Sequence, residues 1–244
     1  MIDTVRSFIE KEKLLSANAS VIVGLSGGMD SMALLDILIV LGYRCVAAHC
    51  NFHLRGEESD RDANFVEKWC KSMDIPFISI DFDTRQYASD KKISIEMAAR
   101  ELRYTWFEKM REQYKAEAVA VAHQKDDSVE TVLLNLIRGT GIKGLTGISP
   151  RNNKVVRPLL CLSREEISRY VATRGIPYVF DSSNNDDLFL RNAIRLHIIP
   201  KLEALNPAVK EAIYRTAQNV AEAEKVYSAS IQESIEAVFQ HDRI

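Results

Sequence analysis

A short apolar run that ends in a glycine turn and continues as a helix constrains this chain more than any other stretch. Residues 21–25 (VIVGL) have the composition of a buried strand, residues 26–31 (SGGMDS) form a turn, and apolar side chains over residues 32–39 recur at helical spacing. A strand that passes directly through a tight turn into a helix is the first half of a βαβ unit. The stretch therefore predicts an α/β fold with this turn at the carboxyl end of a strand.

The turn carries the residue types of a phosphate-binding loop. Gly27 and Gly28 can adopt positive φ and let backbone N–H groups approach an anion, and the following helix adds unpaired N–H groups and its positive dipole end. Ser26 and Ser31 add hydroxyl donors. Asp30 would repel phosphates unless a cation lies between them, which indicates Mg²⁺. The alternative is an ordinary βα turn capped by Ser or Asp. Without Gly-Lys-Ser/Thr, it is not a Walker-type loop.

Length and composition bound the rest. A chain of 244 residues with 46% apolar residues fits one large domain, or one domain with an appendage. A net charge of −2 argues neither for nor against nucleic acid, so a polyanion site would be a local patch. The four cysteines are scattered without a CxxC pair, and the N-terminus lacks a signal-peptide core. These features predict a cytoplasmic protein with reduced thiols and no membrane span.

The remaining pattern alternates strands with helices. Further strands are predicted at residues 43–49, 76–80, 118–122 and 177–180, and helices at residues 2–15, 57–71, 94–114, 164–174 and from 207 to the end. This favours a doubly wound, mostly parallel sheet with helices on both faces, followed by a C-terminal helical extension. We expect a main domain over residues 1–200 and the extension over residues 201–244. The last helix is a linker, a homodimerisation element or a helix packed back on the domain.

Polar residues follow two of the predicted strands on the side where parallel sheets bind ligands. His49, His53 and Arg55 follow the second strand and could reach a nucleotide, or belong to a solvated loop. Three acids, Asp126, Asp127 and Glu130, begin the helix after residues 118–122 and could hold Mg²⁺ or a cationic co-substrate such as an amine. The alternative is that they only favour the helix dipole.

Basic residues offer weaker signals. Glu96, Arg100 and Arg103 share a helix flank, which favours an exposed ion-pair stripe over an arginine that reaches a phosphate. The glycine-rich loop over residues 138–147 precedes a basic run that consists of Arg151, Lys154 and Arg157. That run is a candidate contact for a nucleic-acid backbone, with a solvated loop as the alternative.

Several motifs together resemble one family. They are SGGMDS at 26, HCNFHLR at 49, EMAARELRY at 96, AHQKDDSVET at 122, NLIRGTGIKGL at 135, RPLL at 157 and DSSNNDDLFLRNAIR at 181. The glycine loop alone is shared by N-type ATP pyrophosphatases, the PP-loop superfamily. The whole set, in this order and spacing, makes residues 21–195 similar to the tRNA(Ile)-lysidine synthase family.

The resemblance implies an adenine nucleotide alpha hydrolase-like fold and a ligase that forms a carbon–nitrogen bond. Such an enzyme uses ATP and Mg²⁺ to adenylate the C2 carbonyl oxygen of the wobble cytidine in tRNA(Ile) with a CAU anticodon, and releases pyrophosphate. The ε-amino group of free lysine then attacks C2, AMP leaves, and lysidine is formed. The main domain would be the N-type ATP pyrophosphatase catalytic domain.

Carried over residue by residue, the resemblance also implies roles for side chains. The residues implied to bind ATP are Ser26, Gly27, Gly28, Met29, Asp30, Ser31, His49, Asn51 and His123. The implied metal ligands are Asp30 and Asp127, and the implied catalytic residues are Asp30, Asp127, Glu130, Arg103 and Arg195. Contacts to lysine or tRNA are implied for Asp126, Glu130, Arg138 and Arg191.

The chain departs from the family pattern in places. Phe52 stands where the family has histidine, and Gln124 and Ser128 stand where it more often has His and Gln. The family also carries tRNA-binding domains after the linker helix, so we expect a catalytic fragment or a short form. The alternatives are a tRNA thiolase of the same superfamily, which would require paired cysteines, and a nucleotide-binding module without turnover, which would lack the acids.

Overall fold

The computed structural model describes residues 1–180 and 190–241, and the polar loop predicted at residues 181–185 lies outside them. The chain forms two compact units. The first consists of Met1–Gln124 and Pro150–Asp181, and the second of Lys125–Ser149 and Ser182–Ile244. The boundary predicted at residue 200 falls inside the second unit, and it stays a prediction about family architecture.

The first unit is built on a six-stranded sheet with the strand order β3-β2-β1-β4-β6-β5. All neighbouring strands are parallel except the antiparallel pair β5 and β6. The strands are β1 (Ser20–Gly24), β2 (Arg44–Asn51), β3 (Phe77–Asp81), β4 (Ala118–Ala120), β5 (Arg151–Asn152) and β6 (Val155–Val156). Since β1 has β2 on one side and β4 on the other, the loops that follow β1 and β4 flank the point where the strand order reverses.

Helices cover both faces of this sheet. They are α1 (Ile2–Lys11), α2 (Met29–Val40), α3 (Glu57–Ser72), α4 (Thr84–Lys91), α5 (Ile95–Gln113) and α7 (Arg164–Arg174), with a 3₁₀ turn at Pro158–Cys161. Val21 and Val23 belong to one core cluster with α1, α2, α3 and α7, whereas Ile22 belongs to another with Trp106 and Phe107 of α5. This alternation follows from the two-residue period of a strand. The predicted doubly wound α/β fold is confirmed.

Local sequence signals account for most element boundaries. Helix α7 spans the predicted residues, and its capping box is formed: Ser163 Oγ accepts from the Glu166 N–H, and Glu166 Oε2 accepts from the Ser163 N–H. The strand predicted at residues 177–180 is wrong, because that segment has no regular structure. Its Val179 N–H instead donates to the carbonyl of Gly27, at 2.9 Å.

The second unit is helical. It contains α6 (Lys125–Ile137), a 3₁₀ turn at Ile142–Leu145, α8 (Leu190–Ala193), a π-helical turn at Ile194–Ile198, α9 (Ile199–Leu205) and α10 (Val209–His241). Its core consists of Val129, Ile194, Ile199 and Tyr214. Helix α10 confirms the C-terminal helical extension, and whether it is a linker or a dimerisation element stays a prediction. Among the helices of residues 1–180 and 190–241, none combines the length and apolar character needed to cross a membrane.

Candidate nucleotide site

The turn between β1 and α2 requires glycine at its second position. Gly27 has a φ of +86°, which is a left-handed conformation that side chains disfavour. A Cβ at this position would lie 3.0 Å from Val179 and 3.1 Å from Val66. Both the backbone conformation and the packing around Gly27 therefore disfavour a larger residue.

Hydroxyl groups and backbone donors line the same turn. Ser31 Oγ donates to the carbonyl of Gly28 at 2.9 Å, and it accepts from the Ser26 N–H at 3.2 Å. Ser26 Oγ accepts from the Gly28 N–H at 3.3 Å. Gly28 is the N-cap of α2, and it supplies no side-chain cap for the first-turn N–H groups. The positive end of a twelve-residue helix is therefore left available to an anion.

His49 holds the beginning of the loop. It lies near the end of β2, is 5% exposed, and its Nδ1 is 2.8 Å from the carbonyl of Leu25. Because a carbonyl only accepts hydrogen bonds, Nδ1 carries the proton. Burial lowers the pKa of His49 and so favours its neutral ring. His49 thus positions the phosphate loop, and its predicted contact with a nucleotide stays a prediction.

The connection after β2 is fixed by carboxylates. Asn51 is buried, donates to Asp60 Oδ1 at 2.9 Å, and accepts from the His53 N–H at 3.1 Å. His53 Nε2 lies 2.8 Å from Asp81 Oδ1. Arg55 donates to Asp62 at 3.0 Å. Asn51, His53 and Arg55 therefore order the segment that follows β2, and their contact with a nucleotide stays a prediction.

His123, in the loop after β4, has a partner that sequence analysis missed. Arg157 is only 6% exposed, and its Nε donates to His123 Nδ1 at 3.2 Å. This places the His123 proton on Nε2, so that nitrogen becomes a donor. Arg157 therefore does not form part of a solvated basic run, and Arg151 likewise donates inward, to the carbonyls of Lys13 and Leu14. The sequence held one indication that Arg157 is buried, which is its position directly before Pro158 and an apolar run.

The basic flank of α5 packs on aromatic rings. The guanidinium of Arg103 lies 5.2 Å from the centre of the Phe52 ring, and that of Arg100 lies 5.0 Å from the Tyr104 ring. Phe52 itself stacks on Phe82. These contacts orient Arg103 by cation–π attraction, a partner that the helix pattern alone did not predict.

The acidic cluster of the second unit is organised by Arg195. This arginine donates to both oxygens of Glu130, at 2.5 and 2.9 Å, and lies 3.6 Å from Asp127 Oδ1. Glu130 is 1% exposed. Burial raises the pKa of its carboxyl group, and the guanidinium of Arg195 opposes that shift. The two side chains therefore form a bidentate pair in which the carboxylate is buried and the guanidinium is partly exposed.

Other cations complete the cluster. Arg191 donates to Thr131 Oγ1 at 2.8 Å and lies 3.7 Å from Glu130. Lys210 of α10 lies 3.2 Å from Asp126 and 2.9 Å from Glu203. Sequence analysis missed Lys210, because its helix carries no recognisable motif. Arg138 is exposed at the end of α6, apart from these contacts.

Within the described residues, no three His, Cys, Asp or Glu side chains form a group that could hold a metal ion. Mg²⁺ is commonly held by only one or two carboxylates together with phosphates and water. Asp30 in the first turn of α2 and Asp127 in the first turn of α6 are hard oxygen donors of that kind. They stay predicted metal ligands.

Comparisons with known proteins identify relatives of this chain. The chain is 54% identical to the tRNA(Ile)-lysidine synthase of Parabacteroides distasonis, over 100% of this chain and 56% of that protein. It is 53% identical to the enzyme of the same name from Bacteroides thetaiotaomicron, over 93% of this chain and 53% of that protein. The chain thus spans about half the length of these relatives.

Solved structures support the fold alone. The U34-tRNA thiolase NcsA from Methanococcus maripaludis superposes with a TM-score of 0.69 at 20% identity, over 90% of this chain and 78% of that one. The NH3-dependent NAD synthetase from Campylobacter jejuni gives 0.50 at 18% identity, over 90% of this chain and 93% of that one. The model of the PP-loop domain matches residues 3–202. The chain therefore belongs to the PP-loop domain family.

Proposed function

We propose that this chain is the catalytic part of a cytoplasmic, ATP-dependent ligase that joins lysine to C2 of the wobble cytidine in tRNA(Ile) with a CAU anticodon. The observation that carries the proposal is the glycine loop before the helix start at Gly28, which no side chain caps. It occurs in a chain 54% identical to a relative named tRNA(Ile)-lysidine synthase.

The first step is adenylation. The C2 carbonyl oxygen of the cytidine bonds to the α-phosphorus of ATP, and the bond from that phosphorus to the bridging oxygen breaks. Pyrophosphate leaves with the electron pair. Backbone N–H groups of the loop, with Ser26 and Ser31, would stabilise the charge that develops on the leaving group. The loop is suited to this because α2 presents its N-terminus without a side-chain cap.

The second step replaces oxygen by nitrogen. The ε-amino nitrogen of lysine bonds to C2, the C2–O bond breaks, AMP leaves with that oxygen, and the amine loses a proton. Asp126 and Glu130 are the proposed contacts to lysine, whereas Arg138 and Arg191 are proposed to contact tRNA. The hydrogen bonds from Arg195 to Glu130 support a role in which Arg195 fixes that carboxylate.

Mg²⁺, when bound, would act as a Lewis acid on the phosphates, with Asp30 and Asp127 as its proposed protein ligands. Arg103 would balance phosphate charge, and its position over Phe52 supports a fixed guanidinium there. His123 would donate from Nε2 to the nucleotide, which its bond from Arg157 supports.

Lysine chemistry is favoured over sulfur transfer because three of the four cysteines are held as protonated thiols. Burial raises the pKa of Cys45 and Cys50 to about 12 and that of Cys70 to about 11. A thiolate is the form that attacks or binds metal, so these protonated side chains are poor candidates for sulfur chemistry.

The decisive measurement is pyrophosphate release from ATP and Mg²⁺, with lysine and a CAU-anticodon tRNA added separately and together. We expect release to require the tRNA, and labelled lysine to enter it. A full-length relative supplies the positive control. Release that is independent of the tRNA would contradict the proposal.

The same assay tests Asp30. We expect Asp30→Asn to abolish pyrophosphate release while thermal unfolding stays at the wild-type midpoint, because a neutral amide is a weak Mg²⁺ ligand. Unchanged release would remove Asp30 from the proposed mechanism.

A further inference from the structure

A lysine side chain of this protein already occupies one of the acids proposed to contact substrate lysine. Lys210 Nζ lies 3.2 Å from Asp126 Oδ1 and 2.9 Å from Glu203 Oε1, so a single ammonium joins α6, α9 and α10. The Lys210 side chain and the proposed substrate carry the same group, a primary ammonium on a four-carbon stem. The Asp126 carboxylate therefore accepts that chemical group in this structure.

Lys210 is held in place by these carboxylates and is disfavoured by its own helix. It is the second residue of α10, where the positive end of the helix dipole opposes a cation. Burial lowers the pKa of Lys210, but its hydrogen bonds with Glu203 and Asp126 outweigh that effect and raise the pKa. The side chain is therefore an ammonium at neutral pH, and the two acids stabilise its charge.

The contact between Lys210 and Asp126 can be exchanged at low cost. The side chains of Lys210 and Glu203 are 38% and 35% exposed, and partly solvated ion pairs are weak. Glu130, the other acid proposed to contact lysine, is 1% exposed and accepts two hydrogen bonds from Arg195. Displacing that arginine would break a pair with a buried charge, which is far more costly. Asp126 is therefore the acid that can change its cation.

The balance of charge leaves a place for a second ammonium. One ammonium between two carboxylates gives the group of Lys210, Asp126 and Glu203 a formal charge of −1. When a second ammonium binds Asp126, Lys210 can keep its 2.9 Å contact with Glu203, and each carboxylate then has one cation. The exchange requires rotation about the side-chain bonds of Lys210.

We propose that Lys210 is an internal competitor for lysine: it occupies Asp126 until the ε-ammonium of substrate lysine replaces it, while Glu203 retains Lys210. This rests on the proposed function. The competition raises the lysine concentration that is needed to fill the site. It also selects the substrate, because a side chain without an ammonium offers Asp126 no cation in return.

The test is isothermal titration calorimetry of the full chain with L-lysine, in the wild type and in two variants that should have opposite effects. We expect Lys210→Met to lower the Kd of lysine about threefold, the size of one partly solvated ion pair, because it removes the competitor. Glu203→Gln should raise the Kd about threefold, because Lys210 loses its alternative partner. In the Lys210→Met background, Glu203→Gln should have no further effect.

A matched control joins the same two helices. Lys125 of α6 lies 2.9 Å from Glu211 of α10 and over the ring of Tyr214. Lys125→Met removes an ammonium between α6 and α10 but leaves the contact of Lys210 with Asp126, so it should keep the wild-type Kd. Lys210→Arg keeps a cation beside Asp126 and should give no gain. Thermal unfolding of every variant measures any loss of folding.

Two further readouts separate competition from a purely structural role of Lys210. L-Norleucine lacks the ε-ammonium, so its binding should gain nothing from Lys210→Met. In the lysine-incorporation assay, Lys210→Met should lower the KM for lysine about threefold and leave kcat and the KM for ATP unchanged.

Unchanged or weaker lysine binding in Lys210→Met would overturn this inference. Shifts of Lys210→Met and Glu203→Gln in the same direction, an equal gain for L-norleucine, or no lysine binding by the wild type would overturn it too. Incorporation of lysine into tRNA decides the proposed function separately. Incorporation with a Kd that Lys210→Met does not alter would leave the function standing and remove the competition. The expected shifts in Kd without incorporation would support the exchange at Asp126 and remove the function.

Discussion

At the scale of single residues, Gly27 carries two separable constraints. Its φ of +86° is costly for any side chain, and a Cβ would crowd Val179 and Val66 at 3.0 and 3.1 Å. We predict that Gly27→Ala lowers the free energy of unfolding by about 3 kcal/mol, as the sum of a left-handed backbone term and an overpacking term. Urea denaturation measures this loss.

A comparison with Gly175 separates the backbone contribution from the overpacking contribution. It ends α7 with a φ of +64°, and a Cβ there would meet nothing within 4 Å. Gly175→Ala should therefore cost only the backbone term, about 1 kcal/mol. Equal losses in the two variants would show that crowding at Gly27 contributes nothing.

The tautomer of His123 provides a second prediction at this scale. Because Arg157 Nε donates to His123 Nδ1, the neutral ring should carry its proton on Nε2. Imidazole ¹⁵N chemical shifts should report that single tautomer at pH 8, and a mixture in Arg157→Leu. His53, whose ring contacts Asp60 and Asp81 instead, serves as the internal control. A mixture already present in the wild type would contradict the assignment.

How far single residues could be predicted depended on whether their partners are near in sequence. Ser26, Gly28 and Ser31 interact within one turn, so their residue types alone indicated a phosphate loop. Arg157 contacts His123 from 34 positions away, and no local pattern specifies such a pair. Because Arg157 is buried, the side chain that the sequence suggested as a nucleic-acid contact donates a hydrogen bond inside the protein instead.

At the scale of elements, an ion pair between a buried carboxylate and a half-exposed arginine joins α2 to α7. Asp36 is 8% exposed, and it accepts hydrogen bonds from Tyr170 at 2.5 Å and from Arg174 at 3.2 and 3.0 Å. Burial and the Asp36 carboxylate raise the pKa of Tyr170. Since α2 begins at the phosphate loop, this contact also fixes the helix on which the loop depends.

We predict that Asp36→Asn lowers the free energy of unfolding by about 2 kcal/mol, because it removes the charge and replaces one of the two buried acceptor oxygens by an NH₂ donor, while the arginine partner is partly solvated. Adding Tyr170→Phe should cost little more, so a double-mutant cycle should show coupling of about 1 kcal/mol. The exposed pair of Asp3 and Arg6 is the control, and Asp3→Asn should change stability by less than about 0.5 kcal/mol. Additive losses at Asp36 and Tyr170 would contradict the coupling.

Periodicity predicted elements well where one face is buried against the sheet. Helix α4 was not predicted, because it buries only Thr84 and Ala88, and two buried positions do not produce a helical period of apolar residues. The segment at residues 177–180 has strand-like residues, but Val179 bonds to the Gly27 carbonyl in a loop, so no ladder forms. Strand propensity without a partner strand was therefore misleading.

At the scale of the whole molecule, the chain leaves the first unit at Gln124, returns to it at Pro150, and then contributes the last helices to the second unit. No local sequence pattern shows that the chain enters the same unit twice, so the sequence could not predict these crossings. The predicted division at residue 200 follows the family's linear architecture instead. Asp126 on α6 and Lys210 on α10 are brought together only by this discontinuous arrangement.

Alkaline stability is a prediction that belongs to the whole molecule. Folding raises the pKa of Cys45 and Cys50 to about 12 and that of Cys70 to about 11, from a reference value of 9.0, chiefly through burial. Well below pH 9 the thiols are protonated in both the folded and the unfolded chain, so they contribute no pH dependence to stability there. As the pH rises above 9, only the unfolded chain loses these protons, so stability falls until each folded pKa is reached.

We expect the free energy of unfolding to fall by up to about 1.4 kcal/mol per buried thiol between pH 9 and pH 10. Urea denaturation at pH 8, 9 and 10 would measure this fall. Tyr43 and Tyr170 also have raised pKa values, but their reference value of 10.0 places most of their effect above this range. Replacing the three cysteines by alanine should flatten the dependence over this range, whatever its effect on stability at pH 8. An equally steep fall in that variant would mean that the buried thiols do not cause alkaline unfolding, and that charge repulsion across the molecule does.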